Sequence, residues 1–194
     1  MMIKEFSSEE EWVKAAVNFV LSLNPKTVAL SGGTTPKPIY RALSEHPAFR
    51  DEVDFFLADE RCVPITDENS NYKLIKETLN PKTLHTFDTT LDIPESLDLT
   101  ILGIGEDGHI ASLFPHSPAL NSKEKTAKTQ TENFAVKDRR TLTLKTILDS
   151  KNILVLLNNK PTVLNKLKEN KLTTEEFPAI SLLDHTSVKI FYLS

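Results

Sequence analysis

Apolar positions along this chain fall into short runs of two kinds, and their alternation predicts an architecture. Ser8 and Glu11 form the S-x-x-E pattern that opens a helix, and Trp12, Ala15, Ala16, Phe19, Val20 and Leu23 follow at helical spacing. After Asn24-Pro25 comes TVALS (27–31), a compact apolar run of strand type. An amphipathic run then reaches Leu43, with Pro36 suited to a first helical turn. VDFFLAD (53–59) predicts a second buried strand, SNYKLIKETL (70–79) another helix, and LDLTILGIG (97–105) a third strand. RTLTLKTIL (140–148) alternates like a half-exposed strand. NILVLL (152–157) reads as a buried strand, KPTVLNKLKEN (160–170) as a helix and SVKIFYL (187–193) as a closing strand.

Strands alternating with helices predict an α/β layered fold: a largely parallel central sheet flanked by helices, Rossmann-like in outline. NSKEKTAKTQTEN (121–133) holds almost no apolar residue and predicts an exposed loop too short to separate domains. The 194 residues show no internal repeat and suit one domain, 1–194.

Composition narrows the class. One cysteine, Cys62, excludes an internal disulfide, fits a reducing compartment and reads as a packing residue. The N-terminus lacks a basic stretch followed by an apolar one, and no apolar run is long enough to cross a bilayer. A net charge of −4 argues against a nucleic-acid partner. The expectation is a cytoplasmic protein, a monomer or weak homodimer, with no membrane or nucleic-acid partner. An anionic ligand would have to be held by a few placed cations, because the net field repels it.

Ligands of open α/β sheets sit beyond the carboxyl ends of the strands, and three polar clusters fall there. SGGTTP (31–36) sets two glycines at a strand-to-helix turn, where backbone amides can approach an anion. It reads equally as a phosphate cradle and as a tight turn capped by Thr35. DERCVP (59–64) offers Asp59 and Glu60 as base or orienting groups and Arg61 as a forked cation; the competing reading is a surface ion-pair turn. GIGEDGH (103–109) matches G-x-G-x-x-G. A dinucleotide loop, however, belongs in the first βα unit, opens a long helix and has an acid about 20 residues on. Here the loop lies mid-chain and Pro115 follows soon after, so the cofactor reading fails. His109 is left as the residue of interest, because an imidazole with a reference pKa near 6.5 suits a general base at neutral pH. Asp107 lies close enough in sequence to set its tautomer, whereas His46, His85, His116 and His185 have no comparable setting. There is no H-x-H, no H-E-x-x-H and no thiol cluster, so no metal is expected.

Three motifs in order, LSGGTTP (30–36), DERCVPITDENSNY (59–72) and GIGEDGHIASLFP (103–115), resemble the 6-phosphogluconolactonase family. RRTLTL (139–144) and the helix near Lys160 add a weaker fourth. The resemblance implies the fold of that family, which it shares with the glucosamine-6-phosphate deaminases. It also implies hydrolysis of 6-phospho-D-glucono-1,5-lactone to 6-phosphogluconate in the oxidative pentose phosphate pathway, without a cofactor. His109 matches the general base, Arg61 would stabilise developing charge, and Asp107 or Asp59 would orient the histidine. Gly32, Gly33, Thr34 and Asn71 fall in substrate-binding motifs. Lys160 and either Arg139 or Arg140 match the phosphate-holding cations.

The deaminases resemble D-G-H-I-A-F-N-E-P where this chain reads Asp107-Gly108-His109-Ile110-Ala111-Ser112-Leu113-Phe114-Pro115, so their glutamate is missing. Two alternatives remain beside the lactonase: a glucosamine-6-phosphate deaminase/isomerase, and a non-catalytic sugar-phosphate-binding module. For the module, the 26 residues before the first strand are too few for a DNA-binding domain.

Overall fold

The central sheet is parallel, and its inner strands carry apolar side chains on both faces, as a sheet covered on both sides requires. The computed structural model describes residues 2–87 and 92–194. Along the chain run β1 (Met2–Phe6), α1 (Glu9–Ser22), β2 (Thr27–Leu30), α2 (Lys37–Ser44), α3 (Pro47–Glu52), β3 (Asp54–Leu57), β4 (Asp59–Arg61) and α4 (Asn71–Thr78). There follow β5 (Thr83–His85), β6 (Leu99–Gly103), β7 (Thr126–Gln130), β8 (Asp138–Leu142), α5 (Leu144–Leu148), β9 (Ile153–Asn158), α6 (Pro161–Glu169) and β10 (Val188–Leu193). Seven strands form the parallel sheet in the order β1-β10-β9-β6-β2-β3-β5.

One hydrophobic cluster runs from Phe6 to Leu193. Val28, Ala29, Leu30 and Ile153 to Val155 are wholly buried. Trp12 ties α1 to the sheet: its ring is buried and its indole N–H donates to the Phe191 carbonyl at 3.0 Å. The start of α1 follows the expected pattern, with Ser8 accepting from the Glu11 N–H.

Three expectations need correction. The run 53–59 is two strands: the chain leaves the parallel sheet at Ala58, whose N–H donates to Leu30 and whose carbonyl accepts from Leu142. Asp59–Arg61 then joins an antiparallel sheet of order β4-β8-β7. The segment 121–133, expected to be a loop, contains β7, because Thr129 is buried and cross-strand pairing with β8 satisfies its backbone. The run 140–148 is strand only to Leu142; Thr143 caps α5 by accepting from the Thr146 N–H. The sequence pattern does not reveal β1, α3 and β5: β1 and β5 are edge strands without a buried apolar run, and α3 has only six residues.

β9, β6, β2 and β3 are neighbours in the sheet, so the loops that follow them meet at one edge. From β2 the chain builds outward through β3 and β5, and from β6 outward through β9 and β10. The crevice between β2 and β6 is thus a topological switch point.

Candidate active site

A cavity of about 500 Å³ opens at that crevice. Gly32, Gly33, Thr34, Arg61, His109 and Lys160 are among its lining residues, and Asp59, Asn71, Asp107 and Arg139 also reach it.

The loop after β6 presents a histidine–carboxylate pair. His109 Nδ1 lies 2.6 Å from Asp107 Oδ1, and the same oxygen accepts the His109 backbone N–H at 3.2 Å. An ionised carboxylate only accepts, so Nδ1 carries the proton and Nε2 presents its lone pair. No protein partner for Nε2 is found among the described residues. Burial works to raise the Asp107 carboxyl, but the hydrogen bonds it accepts from the His109 ring and backbone outweigh it and hold the group below the usual carboxylate range. Phe114 and Phe134 flank the imidazole, with centroids 4.9 and 5.7 Å away.

The glycines of this loop make room. A Cβ on Gly105 would fall 2.1 Å from His109 Nδ1, so only glycine lets the imidazole lie against the backbone. Gly108 has a φ of +88°, and a Cβ there would fall 2.2 Å from the Phe177 ring.

Strand β4, just after β3, contributes two acids with different duties. Glu60 caps α4: its carboxylate accepts from the backbone N–H groups of Arg61, Asn71 and Tyr72 and from the Ser70 hydroxyl. That occupancy leaves it no role as a base. Asp59 is buried; Oδ2 accepts from Ser112 Oγ at 2.6 Å and Oδ1 from Asn71 Nδ2 at 3.2 Å. It joins the second cluster to the third, and Asp107, not Asp59, touches the histidine. Asn71 extends the brace, since a Cβ on Gly32 would fall 1.8 Å from Asn71 Oδ1.

The cations converge on the same cavity. Arg61 and Arg139 face each other across the β4–β8 ladder. Arg61 Nη1 donates to the Asn69 carbonyl at 2.5 Å and Arg139 Nε to the Val136 carbonyl at 2.9 Å. Burial, then the charge of Arg61, push the Arg139 guanidinium below its usual value. Lys160, at the N-cap of α6, donates to the Ile104 carbonyl at 2.6 Å. Among the described residues only two buried side-chain polar atoms lack a partner, Arg61 Nε and Asn71 Oδ1, and both residues line this cavity. Unpaired buried groups are rare in folded proteins and mark sites where something else binds or where strain is held.

Arg140 is placed elsewhere. Strand alternation turns it to the opposite face from Arg139, and it donates to the Phe87 carbonyl at 2.7 Å. This separates the two arginines that the sequence alone left interchangeable. Cys62 is exposed, not packed, because it follows the last residue of β4 at the surface. Among the described residues no group of three or more His, Cys, Asp or Glu could hold a metal, and no helix is long and apolar enough to cross a membrane. The bracing role of Ser112, the capping role of Glu60 and the place of Phe134 lie beyond sequence reading. The first two depend on partners ten or more residues away, and Phe134 is one ring in a polar stretch.

A family model for glucosamine-6-phosphate isomerases/6-phosphogluconolactonase matches residues 7–96 and 82–190. The chain belongs to this family. It is 32% identical over 218 residues to a protein of Dictyostelium discoideum named probable 6-phosphogluconolactonase, covering 95% of this chain and 92% of that one. It is 33% identical over 162 residues to the 6-phosphogluconolactonase of Thermotoga maritima, 73% of either chain. A crystal structure of 6-phosphogluconolactonase from that organism superimposes with a TM-score of 0.84 at 28% identity, over 99% of this chain and 98% of its own. A monomeric glucosamine-6-phosphate deaminase superimposes with the same TM-score of 0.84 at 23% identity, over 99% of this chain and 97% of its own. The family fold therefore serves both chemistries, and the side chains must discriminate between them.

Proposed function

We propose that this protein hydrolyses 6-phospho-D-glucono-1,5-lactone to 6-phospho-D-gluconate, the lactonase step of the oxidative pentose phosphate pathway. The observation that carries this reading is the 2.6 Å His109–Asp107 contact, which leaves Nε2 open in a cavity also lined by Arg61, Arg139 and Lys160. Nε2 takes a proton from a water molecule as its oxygen attacks the lactone carbonyl carbon. Asp107 holds the resulting imidazolium in place. Negative charge gathers on the former carbonyl oxygen, and in this reading Arg61, a cation lining the same cavity, offsets it. The intermediate collapses by breaking the bond to the ring oxygen, which takes the proton back from Nε2. The product is the open-chain acid, which ionises in water.

Arg139 and Lys160 hold the 6-phosphate in this reading, and the turn at Gly32, Gly33 and Thr34 seats the sugar. Nothing in the chemistry calls for a cofactor. The single cysteine and the small acidic composition fit a cytoplasmic enzyme, acting as a monomer or weak homodimer.

The deaminase reading is less well supported. Phe114 stands where the deaminase pattern carries glutamate, 4.9 Å from His109 by centroid, and a hydrocarbon ring transfers no proton. A coupled assay tests the proposal. The purified protein is expected to speed hydrolysis of the phosphorylated lactone over its spontaneous rate and to release no ammonia from glucosamine 6-phosphate. Tight sugar-phosphate binding with no turnover would instead favour a binding module.

A further inference from the structure

Phe134 sits in the connection between β7 and β8, in the polar stretch Thr131-Glu132-Asn133-Phe134, yet it is 44% exposed. An exposed ring is unremarkable when it touches nothing. This one touches the chemistry twice. It meets the His109 imidazole edge-on at 5.7 Å and 81°, and the Arg139 guanidinium lies over its face at 5.4 Å. Phe114 completes a three-ring cluster, 6.0 Å from Phe134 and 4.9 Å from His109. Arg139 also grips the same connection through Nε, which donates to the Val136 carbonyl at 2.9 Å.

These contacts differ in kind. The His109–Asp107 bond holds the imidazole at Nδ1, beside its covalent attachment, and the Gly105 backbone lies against the ring, which leaves only tilting at the Nε2 end. Packing against Phe114 and Phe134 removes that freedom. The contact between Phe134 and Arg139 depends on the position of a guanidinium that faces a second one, Arg61, across the ladder. An anion arriving at Arg139 draws on that guanidinium, and the ring beneath it is the element shared with the base.

We infer that Phe134 is a positioning residue that couples occupancy of the Arg139 anion subsite to the orientation of the His109 base, so that a phosphorylated substrate is preferred in the chemical step as well as in binding. The kinetic part of this inference rests on the lactonase reading; the coupling itself does not.

The experiment compares the wild type with F134A and F134Y. Steady-state kinetics are measured with the phosphorylated and unphosphorylated lactones, and the His109 imidazole resonances are followed by NMR as inorganic phosphate is added. Loss of one aromatic contact and one cation–π contact is expected to lower kcat for the phosphorylated lactone about tenfold in F134A, with a smaller change in KM. The preference over the unphosphorylated lactone is expected to fall with it, and F134Y to restore both. Phosphate is expected to shift the His109 resonances in the wild type and in F134Y but not in F134A. If F134A keeps both the substrate preference and the phosphate-induced shift, the inference is overturned and Phe134 is only a cover. If the wild type turns over neither lactone, the lactonase reading falls and the NMR titration alone decides. A shift in the wild type that F134A loses then supports coupling, and a shift equal in both, or absent from the wild type, overturns it.

Discussion

Arg61 and Arg139 stand directly opposite each other in the antiparallel ladder between β4 and β8, two like charges at facing positions of a sheet. Such pairs destabilise a ladder, and Arg139 is buried as well. The arrangement makes physical sense when an anion completes it.

Arg139→Met is therefore expected to raise KM for the phosphorylated lactone about 10- to 100-fold, the worth of a charge-assisted hydrogen bond. Arg140→Met removes an equal charge one residue away, on a side chain that donates to Phe87 instead. Its KM is expected to stay near the wild-type value. Steady-state kinetics of the two variants side by side make the comparison, and equal losses would contradict the assignment of the phosphate to Arg139.

His109→Asn keeps a polar side chain of similar size but cannot accept a proton usefully. The expected loss in kcat is about 10²- to 10⁴-fold, the usual contribution of positioned proton transfer. Circular dichroism and the denaturation midpoint are expected to change little, since the ring lies in the cavity wall and not in the main apolar core.

Asp107→Asn tests the orienting carboxylate and has a signature in pH. The Asp107 carboxyl is held below its usual value in the folded protein, so it binds fewer protons there than in the unfolded chain. Its stabilising contribution is then fully present above the unfolded value of about 3.9 and is lost as the pH falls through the lower folded value. Denaturant unfolding is expected to find the wild type more stable than the variant at neutral pH, with the gap closing in acid. A gap that widened as the pH fell would contradict the direction of the shift.

Gly105→Ala places a methyl carbon where the His109 ring now lies, 2.1 Å from Nδ1. The ring must move off Asp107, and a displacement of that order is expected to lower kcat about 10²-fold. The activity loss should exceed what any change in folding stability explains, which parallel assays of turnover and thermal unfolding will show.

Asp98 offers a contrasting control. It lies before β6 at the end of the sheet opposite the cavity, and Oδ2 accepts the backbone N–H groups of Lys26 and Thr27 at 2.8 and 3.1 Å. Asp98→Ala is expected to lower stability by about 1–2 kcal/mol through those unpaired amides, with the exposed Lys151 pair adding little. Turnover at a permissive temperature is expected to stay unchanged.

The sequence by itself determined the buried central strands and the polar clusters that follow them. Runs such as NILVLL and TVALS can only be buried, and the polar clusters after three such runs must gather wherever a parallel sheet puts its carboxyl ends. It also determined that His109 and Asp107 would be neighbours, since they stand only two positions apart. Tertiary structure alone decided the rest, because each remaining question turns on which face of a strand a residue occupies or which distant group it meets. Pairing of β4 with β8 chose Arg139 over Arg140 for the cavity. Long-range partners assigned Asp59 to Ser112 and Glu60 to the start of α4. The connection between β7 and β8 carried Phe134 to a histidine 25 residues earlier, a contact that no local pattern encodes because strand pairing fixes it.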